Sequence, residues 1–265
     1  MERSRGRAVQ LTDTARKMAF PLISCIVPVF NGERYLGEAL ESIFAQTYRP
    51  LEVVVVDDGS TDGTAAVVAA HGDKVGYLFQ PNAGVAAACN LGVQASRGEF
   101  IAFLAADDLW HPQKLVLQMS QFQNRPELDL CLTHMQNFWI SELRAEEERF
   151  RNQPLAQPWP GYLPQALLAR RAVFDAVGLF DTALRYEDAK DWFLRAAERE
   201  TVMELLPDVL VYRRLHRANI SREKAIASPV ELLQIVKASL NRRRCPGGAS
   251  PQFLKLPGSG RGEKT

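Results

Sequence analysis

The run Leu51-Glu52-Val53-Val54-Val55-Val56 constrains this chain more than any other stretch. It is β-branched and too apolar for a strand with one face in water, and it suits a parallel sheet covered on both faces. The residues around it repeat a matching rhythm. Leu22–Phe30 is a strand-like apolar run, and Gly32–Gln46 carries Tyr35, Leu36, Ala39, Leu40, Ile43 and Phe44 at helical spacing. Thr61–Ala70 reads as a helix with Ser60 or Asp62 as its cap. A short strand over Val75–Gln80, a helix over Val85–Ala95 and a strand over Phe100–Leu104 follow. Pro112 suits the first turn of a helix that runs to about Gln123. Strand and helix in alternation predict an α/β fold with a doubly wound, mostly parallel sheet flanked by helices in a single domain. Right-handed crossovers then bring the C-terminal ends of the strands to one edge, where ligands bind in such sheets.

The second half is less regular. Leu128–Thr133 and Phe138–Ile140 are strand candidates. Ser141–Pro164, with the charge run SELRAEEERFR and a cluster of prolines, reads as a surface excursion of the kind that forms lids. Ala166–Val177 reads as a helix ending at Gly178, Asp188–Arg199 as a helix, Val202–Tyr212 as containing a strand, and Pro229–Asn241 as a closing helix. The expected organisation is a flexible leader over 1–20, a regular α/β half over 21–127, a less regular half over 128–244, and a disordered tail over 245–265, all in one domain.

A formal charge of +1 over 265 residues selects neither nucleic acid nor an anionic membrane as partner. No stretch approaches the roughly 20 apolar residues of a transmembrane segment, and the N-terminal residues lack the apolar centre of a signal peptide. Cys25, Cys89, Cys131 and Cys245 form no CxxC pair and no zinc-spaced cluster, so they read as reduced thiols. The expected location is cytoplasmic, with peripheral contact at the inner membrane face left open.

Three constellations carry chemistry. Asp57 and Asp58 end an apolar strand, and Gly59 lets the chain reverse. Carboxylates there can accept hydrogen bonds from a base N–H or a ribose hydroxyl, although Asp-Gly-Ser-Thr-Asp also reads as a capping turn. Asp107 and Asp108 end another strand, and hard oxygen ligands at such a crevice suit Mg²⁺ or Mn²⁺ bound jointly with a diphosphate. Small residues from Asn82 through Gly84 open a helix whose N-terminus attracts phosphate.

In this order the constellations resemble the family 2 glycosyltransferases of GT-A fold. The resemblance starts at Ser24-Cys25-Ile26-Val27-Pro28-Val29-Phe30-Asn31. It runs through Asp57–Asp62, Asn82-Ala83-Gly84, Gly98–Leu104 and Asp107-Asp108, and spans about Leu22 to Ser221. It implies a nucleotide-diphosphate-sugar donor, with UDP expected, a Mg²⁺ or Mn²⁺ cofactor, and a glycan, lipid-linked or protein acceptor. By resemblance Asp58, with Asp57 beside it, holds the uracil or ribose, Pro28 and Phe30 line the nucleotide pocket, and Asn82 and Gly84 border it. Asp107 is the metal carboxylate, with Asp108 next to it. The segment Tyr212–Ser221 is where His216 closes over the diphosphate, unless it is a surface His in a basic loop. Asp188, then Glu187, with Asp191 nearby, are the candidates for general base of an inverting transfer.

Three positions depart from the family pattern. Ala105 stands where a first carboxylate is expected, Cys89 where an Arg is expected, and Ala189 at the base position of an ungapped reading. These losses motivate an alternative, a nucleotide-sugar-binding pseudoenzyme. A nucleotidyltransferase is disfavoured because Pro28–Arg34 carries a single Gly and no lysine, and no GxGxxG opens a dinucleotide site. Trp139, Trp159 and Tyr162 are candidates to stack on sugar rings or to pack a core or lid.

Overall fold

The structure, a computed structural model, describes residues 20–219 and 224–244, with the side chains of 224–227 and 244 left out. Residues 1–19 of the expected leader, the tail over 245–265 with Cys245, and Ile220 and Ser221 lie outside the described residues.

The valine run forms β2 (Leu51–Asp57), fully buried from Val53 onward. It lies parallel to β1 (Ile23–Val29), with Ile23 opposite Leu51 and Val29 opposite Asp57. Strand β3 (Gly76–Phe79) continues the sheet on the far side of β2, and β4 (Phe100–Phe103) lies on the far side of β1, all parallel. The crossovers are α1 (Leu36–Phe44), α2 (Thr64–Ala69) and α3 (Val85–Ala95). The N-cap of α2 is Gly63 and not Ser60 or Asp62; Asp62, one residue earlier, accepts from the Thr64 N–H through Oδ1 at 3.0 Å, and Ser60 accepts from the Asn31 N–H at 2.8 Å.

Beyond β4 the sheet becomes mixed. Its order is β3-β2-β1-β4-β8-β6-β9-β5, with β7 paired to β6. The added strands are β5 (Leu109–Trp110), β6 (Leu130–Trp139), β7 (Trp159–Pro160), β8 (Leu168–Arg170) and β9 (Met203–Leu215). The helices are α4 (Lys114–Asn124), α5 (Arg144–Phe150), α6 (Arg171–Val177), α7 (Asp188–Glu198) and α8 (Lys224–Arg244).

Three local expectations change here. The two strand candidates at Leu128–Thr133 and Phe138–Ile140 are one ten-residue strand, β6. Polar residues interrupt its apolar pattern because its second half is only partly covered, while β9 runs parallel along its whole length with register shifts around His134. The charge run inside the Ser141–Pro164 excursion coils into α5, and Trp159–Pro160 returns to pair with β6. Ala166–Val177 is split, because Leu168–Arg170 pairs as a strand beside β4, with Leu168 and Ala169 buried, before α6 begins. A short apolar run has no periodicity to tell strand from helix. Among the described residues no helix is long and apolar enough to cross a membrane.

A buried lysine stitches the mixed half together. Lys114 is inaccessible to solvent, and its Nζ donates to Gln118 Oε1 at 2.8 Å and to the Leu167 carbonyl at 3.3 Å. It also lies 4.4 Å from the Trp110 ring centroid. Burial lowers its pKa to about 7. Below pH 7 the amine is protonated in folded and unfolded chains alike. Between pH 7 and the unfolded value near 10.4 the unfolded chain holds the extra proton, so stability rises with pH. Relative to Lys114→Met, the native chain is expected to gain about 2 kcal/mol of unfolding free energy from pH 7 to pH 9. Urea unfolding at both pH values checks this, and parallel profiles would show that the amine does not titrate there.

Candidate active site

Four parallel strands deliver their following loops to one edge. At the end of β1, Pro28 is half-buried and Phe30 is 54% exposed. At the end of β2, Asp57 and Asp58 are both buried. Asp57 Oδ1 accepts from the Ser60 N–H and Oδ2 from the Tyr77 hydroxyl, each at 2.7 Å. Asp58 Oδ1 accepts from Gln80 Nε2 at 2.7 Å and the Ala83 N–H at 2.8 Å, and Oδ2 accepts from the Gly84 N–H at 2.9 Å. Asn82 Nδ2 donates to the Asp58 carbonyl at 2.9 Å.

The Asp58 carboxylate therefore ties the β2 turn to the loop that starts α3. Gly59 is required in that tie: its φ is +84°, and a Cβ there would meet the Asn82 nitrogen at 2.8 Å. The turn reading of the Asp-Asp-Gly motif is what the structure displays, with both carboxylates engaged by the chain at the C-terminal edge of the sheet. Tyr77 and Gln80 were not singled out by the sequence. The alternation that puts Tyr77 and Phe79 on the same face as Asp57 was the available signal.

The loop after β4 separates its two carboxylates. Asp107 Oδ2 lies 2.9 Å from His216 Nε2 and accepts from Asn219 Nδ2 at 3.1 Å, and its side chain is about a third exposed. Asp108 points the other way and is buried. Its Oδ1 accepts from the Arg214 N–H at 3.0 Å and its Oδ2 from Gln165 Nε2 at 3.3 Å. Burial first, and the Asp107 charge second, push the Asp108 carboxyl well above the usual carboxylate range. The expected metal set is thus divided: Asp107 and His216 are brought together, and Asp108 anchors β9 instead.

The antiparallel pairing of β5 with β9 carries the stretch after β9 across Asp107. Arg214, unmarked by the sequence reading, holds that crossing. Its Nε donates to the Asp107 carbonyl at 2.9 Å and its Nη2 to Glu38 at 2.8 Å, and its guanidinium lies 4.7 Å from the Tyr35 ring and 4.8 Å from the Phe138 ring. Asn219 completes the loop, accepting from the His216 N–H at 2.6 Å and donating to the Arg214 carbonyl at 3.1 Å.

This donor set fits a divalent cation. Asp107 offers a carboxylate oxygen of the kind Mg²⁺ and Mn²⁺ take, with the His216 imidazole nitrogen beside it. The 2.9 Å between Oδ2 and Nε2 is a hydrogen-bond contact, which an ion held by both atoms would displace. Among the described residues no group of three or more His, Cys, Asp or Glu gathers as a metal site, so other ligands of such an ion would come from water and the diphosphate.

On the acceptor side, α7 sorts its acids. Glu187 is buried, its Oε2 2.6 Å from Lys190 Nζ, its Oε1 accepting from Ser228 of α8. Asp191 pairs with Arg195 at 2.7 Å, and Arg195 holds the Val177 and Leu179 carbonyls at 2.8 Å each. Both acids thus brace structure. Asp188, the first residue of α7, lies toward α3: after burial itself, the charges of Asp188 and Asp58 are what push the Cys89 thiol up. Ala189 is buried. Trp139 donates to Glu146 at 3.2 Å, Trp159 and Tyr162 pack against the core, and Tyr162 meets Phe193 edge-on. Arg34, just past Phe30, pairs with Glu142 at the start of the excursion, tying that segment to the donor-side loop.

Comparison with known proteins agrees with this architecture. An uncharacterized glycosyltransferase of Rickettsia typhi is 31% identical over 209 residues, which is 75% of this chain; the chain spans 65% of that relative's length. The crystal structure of S. aureus TarS 1-349 in complex with UDP-GlcNAc superposes with a TM-score of 0.64 at 21% identity, covering 82% of this chain and 65% of that one. The mannosyltransferase PcManGT from Pyrobaculum calidifontis in complex with GDP-Man and Mn²⁺ gives a TM-score of 0.62 at 21% identity, covering 84% and 65%. These likenesses show a GT-A fold. The family model described as Glycosyl transferase family 2 matches residues 24–178, more than half of the chain, and the protein belongs to that family.

Proposed function

We propose that the protein transfers a sugar from a nucleotide-diphosphate donor, with UDP as the expected nucleotide, to a hydroxyl of a glycan, lipid-linked or protein acceptor, with inversion and with Mg²⁺ or Mn²⁺ bound. The observation that carries this reading is the Asp107–His216 pair at the edge where the Asp57–Asp58 turn and the start of α3 converge. The bound states of TarS and PcManGT, with UDP-GlcNAc and with GDP-Man and Mn²⁺, support a donor in this crevice. Phe30 and Pro28 supply apolar surface for the base, and the Asp57 and Asp58 oxygens border it. Asp107 and His216 would hold the ion, which when bound offsets charge on the departing diphosphate. Asp188 accepts the acceptor hydroxyl proton as that oxygen bonds to the anomeric carbon and the bond to the diphosphate oxygen breaks. The working context is cytoplasmic.

The test is calorimetric titration of the purified chain with UDP, GDP and dTDP, with and without Mn²⁺. Binding of one nucleotide, tightened by Mn²⁺, is expected. Absence of binding to all three with either metal condition overturns the donor site. Ala105 and Cys89 favour a second reading, a donor-binding protein without transfer, which predicts the same titration but no release of nucleoside diphosphate over time.

A further inference from the structure

The helix that carries Asp188 does not cap itself. Glu187, the N-cap residue of α7, makes no side-chain bond to the helix start. The N–H groups leading into α7 turn instead to Glu231 of α8, distant in the chain. Glu231 Oε1 accepts from the Arg185 N–H at 3.0 Å, and Oε2 accepts from the Tyr186 N–H at 2.9 Å and the Glu187 N–H at 3.0 Å. Three N–H groups converging on one carboxylate make charge-assisted bonds, and a negative charge at this end of α7 also suits the helix dipole. Ser228, one turn earlier on α8, donates to the Glu187 side chain, so Glu187 is held through both backbone and side chain. The next residue is Asp188.

The other end of the same loop is tied to the donor half. Asn90 of α3 accepts from the Phe180 N–H and donates to the Phe180 carbonyl, each at 2.9 Å. The segment from Phe180 to Asp188 is thus strung between α8 and α3, the helix that opens at the Asp58 turn. Asn90 fixes where the segment leaves the donor half, and Glu231 fixes where it enters α7. Elsewhere α8 grips α7 only at its far end, where Ser239 and Arg242 donate to Glu198. We propose that Glu231 is a positioning residue: its carboxylate sets the backbone of Arg185–Glu187 and so holds Asp188 where it meets the acceptor hydroxyl. This rests on the reading of Asp188 as general base. Misplacing a reacting group by about 1 Å costs up to about a hundredfold in rate.

The test follows nucleoside diphosphate release by the full chain from a panel of UDP-, GDP- and dTDP-sugars. Glu231→Ala is expected to lower kcat about thirtyfold and to leave nucleotide affinity as it is. Removing the side chain uncovers three N–H groups, so added formate is expected to restore most of the rate to Glu231→Ala and none to Glu231→Ala combined with Asp188→Asn. Glu231→Gln keeps the shape of the side chain, and with it the fold; it is expected to lose about tenfold in kcat. Glu198→Gln is the control for the docking of α8: a lower melting temperature with the rate retained is expected. Full rate in either Glu231 variant, a loss equalled by Glu198→Gln, or a loss in Glu231→Ala that formate does not relieve overturns the inference while the transferase reading stands. If the wild-type chain releases no diphosphate from any of the sugars, the transferase reading falls, and this inference falls with it.

Discussion

Asp188→Asn is expected to lower the rate of nucleoside diphosphate release from the donor by about a thousandfold while leaving nucleotide affinity unchanged. A positioned general base contributes typically about 10²–10⁴-fold, and the amide keeps the size of the carboxylate without its basicity. The choice of Asp188 rests on the family resemblance and on its place at the start of α7, toward α3. Glu187 is tied to Lys190 and Ser228, Asp191 to Arg195, and their replacement is expected to loosen α8 or the Val177–Leu179 turn. Asp188 is the acid whose charge reaches Cys89, which also feels Asp58 across the start of α3. Ala189→Asp gives the opposing control. Ala189 is buried, and a carboxylate placed there without a partner is costly. The expected result is a less stable chain with no gain in rate. A large gain from Ala189→Asp, or full activity in Asp188→Asn, would move the base away from Asp188.

The donor half was legible because its signals are local. The valine run, the helical spacing of Leu36, Ala39, Leu40 and Ile43, and the Asp-Asp-Gly turn each lie within about ten residues, and each became the element its pattern implies. The acceptor half resisted for physical reasons. Leu168–Arg170 is a central strand three residues long, too short to show a period, and it runs straight into α6. Adjacent acids in sequence also hide opposite directions. Asp107 and Asp108 read as one metal pair, yet one side chain meets His216 and the other meets the Arg214 backbone. The residues that organise the Asp107–His216 pair, Arg214 and Asn219, lie more than a hundred positions from Asp107, beyond any local pattern. For His216 the sequence left two readings, a closing residue or a surface His in a basic loop; its partner Asp107 became visible only when β5 paired with β9.

That separation of the two carboxylates gives the second large effect. Asp107→Asn is expected to weaken nucleoside diphosphate binding in Mn²⁺ by about a hundredfold and to leave the weak metal-free binding as it is. The carboxylate is the only anionic side chain in the pair with His216, and an amide offers a neutral oxygen in its place. Asn219→Ala removes the donor to Asp107 Oδ2 and the acceptor for the His216 N–H, so a smaller loss of the same kind is expected, about tenfold, through misplacement of both ligands. Asp108→Asn supplies the contrast. Its oxygens hold β9 and Gln165, so the expected cost is stability, about 1–3 kcal/mol, with metal dependence of binding retained. Titration with Mn²⁺ and thermal unfolding of the three variants decide between them. If Asp108→Asn abolished the metal effect and Asp107→Asn preserved it, the ion would sit on the inner carboxylate, and the loop after β4 would have to turn over when the donor binds.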